Sequence, residues 1–129
     1  MTWSLDQLNT VLAENENWLI HQEPGCLTVT NEDGLDAYLA VSGQQIIVES
    51  ILFAKSQVSD TAALNEEILK THQLFPLTSV GITRVHHEDY YCAFGSISSA
   101  TDAPSLRVEV ETLFNNVSNF LEAYEQFIH

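Results

Sequence analysis

Hydrophobic residues recur with a helical period most clearly in the last quarter of the chain. Between Ser105 and His129 the apolar positions recur at gaps of one, three or four residues, as on one stripe of an α-helix. The stripe contains Leu106, Val110, Leu113, Phe114, Val117, Phe120, Leu121, Tyr124 and Ile128, and the opposite side contains Arg107, Glu109, Asn116, Asn119, Glu122 and Gln126. Because so wide an apolar stripe must be buried, the pattern predicts a long helix that packs against the rest of the chain.

Two shorter helices are predicted earlier in the chain. Ser4 and Gln7 form a capping-box pattern in front of an amphipathic segment with Leu5, Leu8, Val11 and Leu12, which Asn15-Glu16-Asn17 ends. Ser59 or Asp60 can cap a second helix, whose apolar positions are Leu64, Ile68 and Leu69. At the start of the long helix, Asp102 or Ser105 can serve as the cap.

Five segments between these helices are rich in β-branched and aromatic residues and are separated by turn sequences, which predicts strands. They span residues 26–30, 37–41, 45–54, 80–85 and 90–97. The predicted order is therefore α-β-β-β-α-β-β-α. Because the strands come in hairpins, we expect a single α+β domain over residues 1–129, with a mostly antiparallel five-stranded sheet packed by the helices.

The third predicted strand, residues 45–54, is apolar at both odd and even positions. A half-covered strand would alternate, so we expect cover on both faces. The helices supply one cover, and the other is either a partner protein or loops of the same chain. Under the first alternative, the predicted protein-binding residues are Ile47, Ile51 and Phe53 on the strand, with Leu64 and Ile68 on the second helix.

The charge of the chain favours basic partners. Four Lys and Arg residues stand against eighteen Asp and Glu residues, which gives a net charge of −14. Such a surface repels nucleic acid and anionic membranes and attracts basic protein segments. The alternative is that the acidity serves only solubility.

The sequence indicates a protein of the cytoplasm. No segment is long and apolar enough to span a bilayer, and the first residues lack the pattern of a signal peptide. In a reducing compartment, Cys26 and Cys92 are expected to be free thiols.

Few residues suggest metal or catalytic chemistry. The best candidate cluster is the turn that runs from His86 and His87 to Glu88 and Asp89, but zinc sites normally need three or four protein ligands. We therefore interpret it as a solvated turn, and expect no cofactor, no metal and no enzymatic activity. The alternative is a small metal-binding protein or enzyme centred on His86, His87 and Cys92.

Several short motifs resemble the YjfI-like family of bacterial proteins. They are Met1-Thr2-Trp3, Asn31-Glu32-Asp33-Gly34, Tyr90-Tyr91-Cys92-Ala93-Phe94-Gly95 and Phe120-Leu121-Glu122-Ala123-Tyr124. The element order, size and acidity are also similar to the type III secretion chaperone fold, which includes the YbjN-like proteins. These resemblances imply a small, acidic, cytoplasmic homodimer that binds a protein client without hydrolysing anything. They also imply a link to membrane stress through a phage-shock-protein-A-like partner.

Overall fold

The computed structural model describes residues 3–75 and 77–129, which form three α-helices and six strands. The helices are α1 (Leu5–Leu12), α2 (Thr61–Thr71) and α3 (Ala103–Ala123). The strands are β1 (Leu19–Glu23), β2 (Cys26–Thr30), β3 (Asp36–Ser42), β4 (Gln45–Ala54), β5 (Ser79–Val85) and β6 (Glu88–Ser98). Met1 and Thr2 of the first family motif, and Pro76 between α2 and β5, lie outside the described residues.

The six strands form one sheet in the order β1-β2-β3-β4-β6-β5, and every neighbouring pair is antiparallel. The predicted α+β class is therefore confirmed, but the sheet has one strand more than the five predicted. The additional strand is β1, which pairs with β2 from Leu19 opposite Thr30 to Glu23 opposite Cys26. It lies at the edge of the sheet, and four of its five residues are exposed. Its sequence therefore does not alternate between apolar and polar residues, which is why the pattern did not predict a strand there.

Side-chain caps begin each helix. Ser4 and Gln7 form the predicted capping box at α1, where each side chain bonds to the other's backbone N–H. The structure resolves the two open alternatives, because Asp60 caps α2 and Asp102 caps α3. The Asp60 carboxylate accepts a hydrogen bond from the Ala63 N–H at 3.1 Å, and the Asp102 carboxylate accepts one from the Ser105 N–H at 2.8 Å. A cap of this kind stabilises a helix by about 1 kcal/mol.

The last helix is shorter than its apolar stripe suggested. It ends at Ala123, and a 3₁₀ turn follows at Glu125–Phe127. Ile128, which the sequence placed on the helix, instead forms an isolated antiparallel bridge with Val58. At this bridge the Ser59 N–H donates to the Phe127 carbonyl and the His129 N–H donates to the Gln57 carbonyl, and Val58 is buried.

The core lies between the helices and one face of the sheet. Side chains of β2, β3 and β4, including Val29, Leu39 and Val48, pack beneath α1 and α3. From α3, Phe114 meets Trp18 edge to face, with 5.7 Å between the ring centroids. Within residues 3–75 and 77–129, no helix is both long and apolar enough to cross a membrane.

Candidate functional site

One face of the sheet has no helix over it in the described part of the chain. Since side chains alternate along a strand, β4 turns Ile46 and Val48 toward the helices and Ile47 and Ile51 to the other side. Cross-strand neighbours point to the same side of a sheet, so the pairing of β4 with β3 and β6 extends the side of Ile47 and Ile51 across those strands. We define the open face by Tyr38 of β3, Ile47, Glu49 and Ile51 of β4, and Cys92 and Phe94 of β6.

The open face is an apolar strip with one carboxylate at its centre. Tyr38, Glu49 and Phe94 are direct cross-strand neighbours, and Tyr38 and Phe94 expose 39% and 36% of their surface. Ile47 and Ile51 are half-buried beside them. The Phe94 ring lies over Gly81 of β5, where a Cβ atom would come within 3.1 Å of the ring. The strip therefore continues from β3 to β5.

Cys92 is the most buried member of the open face, with 4% of its surface exposed. Burial raises the pKa of its thiol to about 12, and the nearby Glu49 carboxylate adds to the shift. A thiol with so high a pKa is a poor nucleophile at neutral pH. Cys26 lies three strand spacings away on β2, a sideways separation of about 14 Å that is already too far for a disulfide.

The structure divides the five predicted protein-binding residues into two groups. Ile47 and Ile51 lie on the open face, as their position in the strand suggested. Phe53, Leu64 and Ile68 are core residues with 7%, 0% and 6% exposure. A register shift between Ile51 and Phe53 reverses the alternation and turns Phe53 toward the helices. Leu64 and Ile68, one helical turn apart, form the inner side of α2. Because Phe53, Leu64 and Ile68 are buried in the core, their side chains are not available to a partner.

The two adjacent histidines form the hairpin turn between β5 and β6. Val85 pairs with Glu88, and His86 and His87 have φ values of 49° and 69°, the form of a type I′ turn. Both side chains are exposed. Cys92 is five residues along β6 from His87, or about 17 Å, so the three side chains cannot share one metal ion. No group of three metal-ligating side chains occurs within the described residues.

Two polar residues of α3 are buried although the sequence placed them on its solvent side. Glu109 and Asn116 expose 7% and 6% of their surface. The Asn116 side-chain amide donates a hydrogen bond to the Thr78 hydroxyl at 2.8 Å. Glu109 faces Gly95 of β6 at the wall of an open pocket. The helical wheel missed both residues because the segment before β5 covers a second side of α3.

This arrangement of three helices on one face of an antiparallel sheet is the fold of the YbjN and type III secretion chaperone class. The chain resembles the crystal structure of YbjN from E. coli with a TM-score of 0.78 and 14% identity, over 99% of this chain and 96% of that one. It resembles a chain of the HopA1–SchA chaperone–effector complex with a TM-score of 0.66 and 15% identity, over 89% and 90%. At these identities the likeness shows the fold, as predicted from the element order.

The chain belongs to the family described as uncharacterized protein conserved in bacteria (DUF2170), whose model matches residues 2–128. It is similar to the uncharacterized protein YjfI of Escherichia coli strain K12, with 28% identity over the full length of both chains. YjfI of Escherichia coli O157:H7 matches to the same extent. The resemblance to the YjfI-like family predicted from the sequence motifs is therefore confirmed.

Proposed function

We propose that this protein is a non-enzymatic, chaperone- or adaptor-like binding module of the cytoplasm, and that the open face contacts its client. The observation that carries the proposal is the apolar strip of Tyr38, Ile47, Ile51 and Phe94 on a sheet face that no helix covers in the described chain. A sheet normally buries an apolar face against another layer, and a client segment would supply that layer here. The presence of a similar chain in a chaperone–effector complex supports this choice.

The client that fits is a basic protein segment. The net charge of −14 speeds the encounter with a basic chain and disfavours nucleic acid. In addition, Glu49 places one carboxylate within the apolar strip. The apolar contacts then set the lifetime of the complex. Among basic segments, those of a phage-shock-protein-A-like protein are our first candidates, because the family resemblance implies that partner.

The proposed homodimer uses a different surface, so that the open face stays free for the client. Leu69 of α2 and Ile82 of β5 line one apolar depression, with 75% and 47% exposure. We expect size-exclusion chromatography with light scattering to give a dimer mass for the wild type and a monomer mass for Leu69→Asp. A wild-type monomer at micromolar concentration would rule out the dimer and leave the open-face proposal standing.

The test of the open face introduces a charge on it. We expect Ile47→Asp and Ile51→Asp to keep the wild-type circular dichroism spectrum and to lose the client. Ser118→Asp adds the same charge on the exposed side of α3 and should keep the client. Affinity capture from the native host with each variant, followed by mass spectrometry, identifies the client as a protein that both strand variants lose and the control retains.

The identified client, and a purified phage-shock-protein-A-like protein from the same host, are then measured by biolayer interferometry. Higher salt should slow association more than it speeds dissociation, because screening acts on the long-range attraction. Equal binding by the wild type and both strand variants would contradict the open-face proposal. Binding of the first client but not of the phage-shock-protein-A-like protein would contradict only the choice of partner.

A further inference from the structure

A pocket separate from the strip lies at the edge of the sheet where β5 begins. Ser79, the first residue of β5, pairs with Phe94, so residues 95–98 of β6 extend beyond the end of β5 and have a strand neighbour only on the β4 side. The segment before β5 and the helix α3 flank this gap. The pocket has a volume of about 510 Å³, and its lining includes Leu77, Thr78, Phe94, Gly95, Ile97 and Glu109.

Glu109 is a carboxylate in this pocket without a partner in the described part of the chain. It exposes only 7% of its surface, and it forms no hydrogen bond or ion pair with residues 3–75 or 77–129. Gly95 makes room for it, since a Cβ at Gly95 would lie 2.5 Å from the Glu109 Oε1 atom and 3.0 Å from the Leu77 carbonyl oxygen. Two oxygen acceptors thus converge at the glycine.

No Lys or Arg of the described chain lines this pocket. His72, which also lines it, accepts a hydrogen bond from the Val80 N–H at its Nε2 atom, 3.2 Å away. Arg107 of α3 forms an ion pair with Glu14 instead. Desolvation by burial raises the pKa of the Glu109 carboxyl above its ordinary value. Among the described residues the Glu109 oxygens are not fully buried atoms, so they are accessible from the pocket, and a cation that enters can pair with them.

We propose that this pocket receives a primary ammonium group on an alkyl chain, namely a lysine side chain of the bound client. The ammonium is compact and has three donors, which suits the two convergent oxygens of Glu109 and Leu77. The methylene groups would pack against Phe94 and Ile97. Phe94 lies on the open face and Gly95 on the helix side of β6, so a client on the open face would reach the pocket around the sheet edge where β5 begins. The inference therefore rests on the proposed function and specifies one feature of the client.

The experiment titrates ¹⁵N-labelled protein with N-acetyl-lysine-methylamide and follows amide signals by NMR. N-acetyl-norleucine-methylamide, which lacks the ammonium, is the ligand control. We expect saturable shifts at Gly95 and Leu77 with the lysine compound only. Glu109→Gln should weaken the affinity of the protein for the lysine compound about tenfold or more, which is the loss expected for a charge-assisted hydrogen bond. Glu111→Gln, the same change at an exposed position of α3, should leave the affinity unchanged.

A second variant changes the space and keeps the charge. Gly95→Ala places a methyl group where the carboxylate and the carbonyl converge, and should also abolish the shifts. Absence of saturable shifts in the wild type, or equal affinity for the Glu109→Gln variant, would overturn the proposal. If free butylamine binds at Glu109 and the lysine compound does not, the ligand is a small amine and the lysine proposal is wrong.

The outcome is distinguishable from failure of the open-face proposal. If Glu109→Gln keeps full client affinity while Ile47→Asp loses the client, the lysine pocket is wrong and the open face stands. If Ile47→Asp keeps the client while lysine binding still requires Glu109, the open-face proposal is wrong, and the pocket does not serve a client bound on that face. We expect both variants to weaken the client complex.

Discussion

Adjacent isoleucines on β4 offer a direct measurement of which sheet face is covered. Ile46 is fully buried beneath the helices, whereas Ile47 is half-buried on the open face. Ile46→Ala removes three carbon groups from the core, worth about 2.4 kcal/mol at about 0.8 kcal/mol each. The cavity that remains adds about 1–2 kcal/mol. We therefore expect Ile46→Ala to lower the free energy of unfolding by about 4 kcal/mol.

Ile47→Ala is the matched change on the other face. Its cross-strand neighbours are Ala40 and Ser96, both small, and its methyl groups are partly in water already. The expected loss is about 1 kcal/mol, from partial burial and strand propensity together. Since a domain of 129 residues shifts its melting temperature by about 4 °C per kcal/mol, the two variants should melt about 12 °C apart.

Urea unfolding followed by tryptophan fluorescence measures both free energies, and differential scanning calorimetry measures the melting temperatures. Ile46→Val, expected to cost about 0.5–1.5 kcal/mol, confirms that the loss at Ile46 grows with the volume removed. Equal losses for Ile46→Ala and Ile47→Ala would refute the reasoning, because they would mean that both faces of β4 are equally covered.

Three further changes test other parts of the structure. Phe114→Ala removes the ring that packs on Trp18 and should lower the free energy of unfolding by about 3–5 kcal/mol; an unchanged urea midpoint would contradict its place in the core. The Cys92 thiol has a folded-state pKa of about 12 against an ordinary value of 9.0, so its contribution to stability is full below pH 9 and is lost as the pH rises toward 12. Cys92→Ala should make the loss of stability over that range shallower than in the wild type, and identical pH profiles would show that the thiol does not contribute. Replacing His86 and His87 by Asn and Gly, which adopt positive φ at lower cost, should raise the melting temperature by about 4 °C, and a lower melting temperature would mean that the histidine side chains stabilise the turn.

Local patterns in the sequence were sufficient for the element order and for part of the candidate site. Caps such as Ser4 with Gln7 depend on residues three apart, and the hairpins depend on short turn sequences, so both are visible in one window. The two-sided apolar character of β4 correctly indicated that Ile47 and Ile51 lie opposite the helix layer.

The residues that sequence reasoning misplaced are those whose environment is set by distant segments. Phe53 faces the helices because of a register shift against β6, which no pattern within β4 indicates. Glu109 is buried because Gly95 leaves space for its carboxylate, and the partner glycine is fourteen positions away in sequence. An edge strand such as β1 is also hard to recognise, since its side chains are mostly solvated.

The pairing of β4 with β6 has a consequence for the order in which the chain folds. The other strand pairs join neighbours in sequence, whereas this pair joins residues 36 to 53 positions apart. Closing so long a loop has an entropic cost that neighbouring hairpins do not have. Strands β1 to β4 can therefore associate early, while β5 and β6 form a separate hairpin. The two units share a core only after α3, which follows β6 in sequence, covers β3, β4 and β6 together, so we expect the docking of α3 to limit the folding rate.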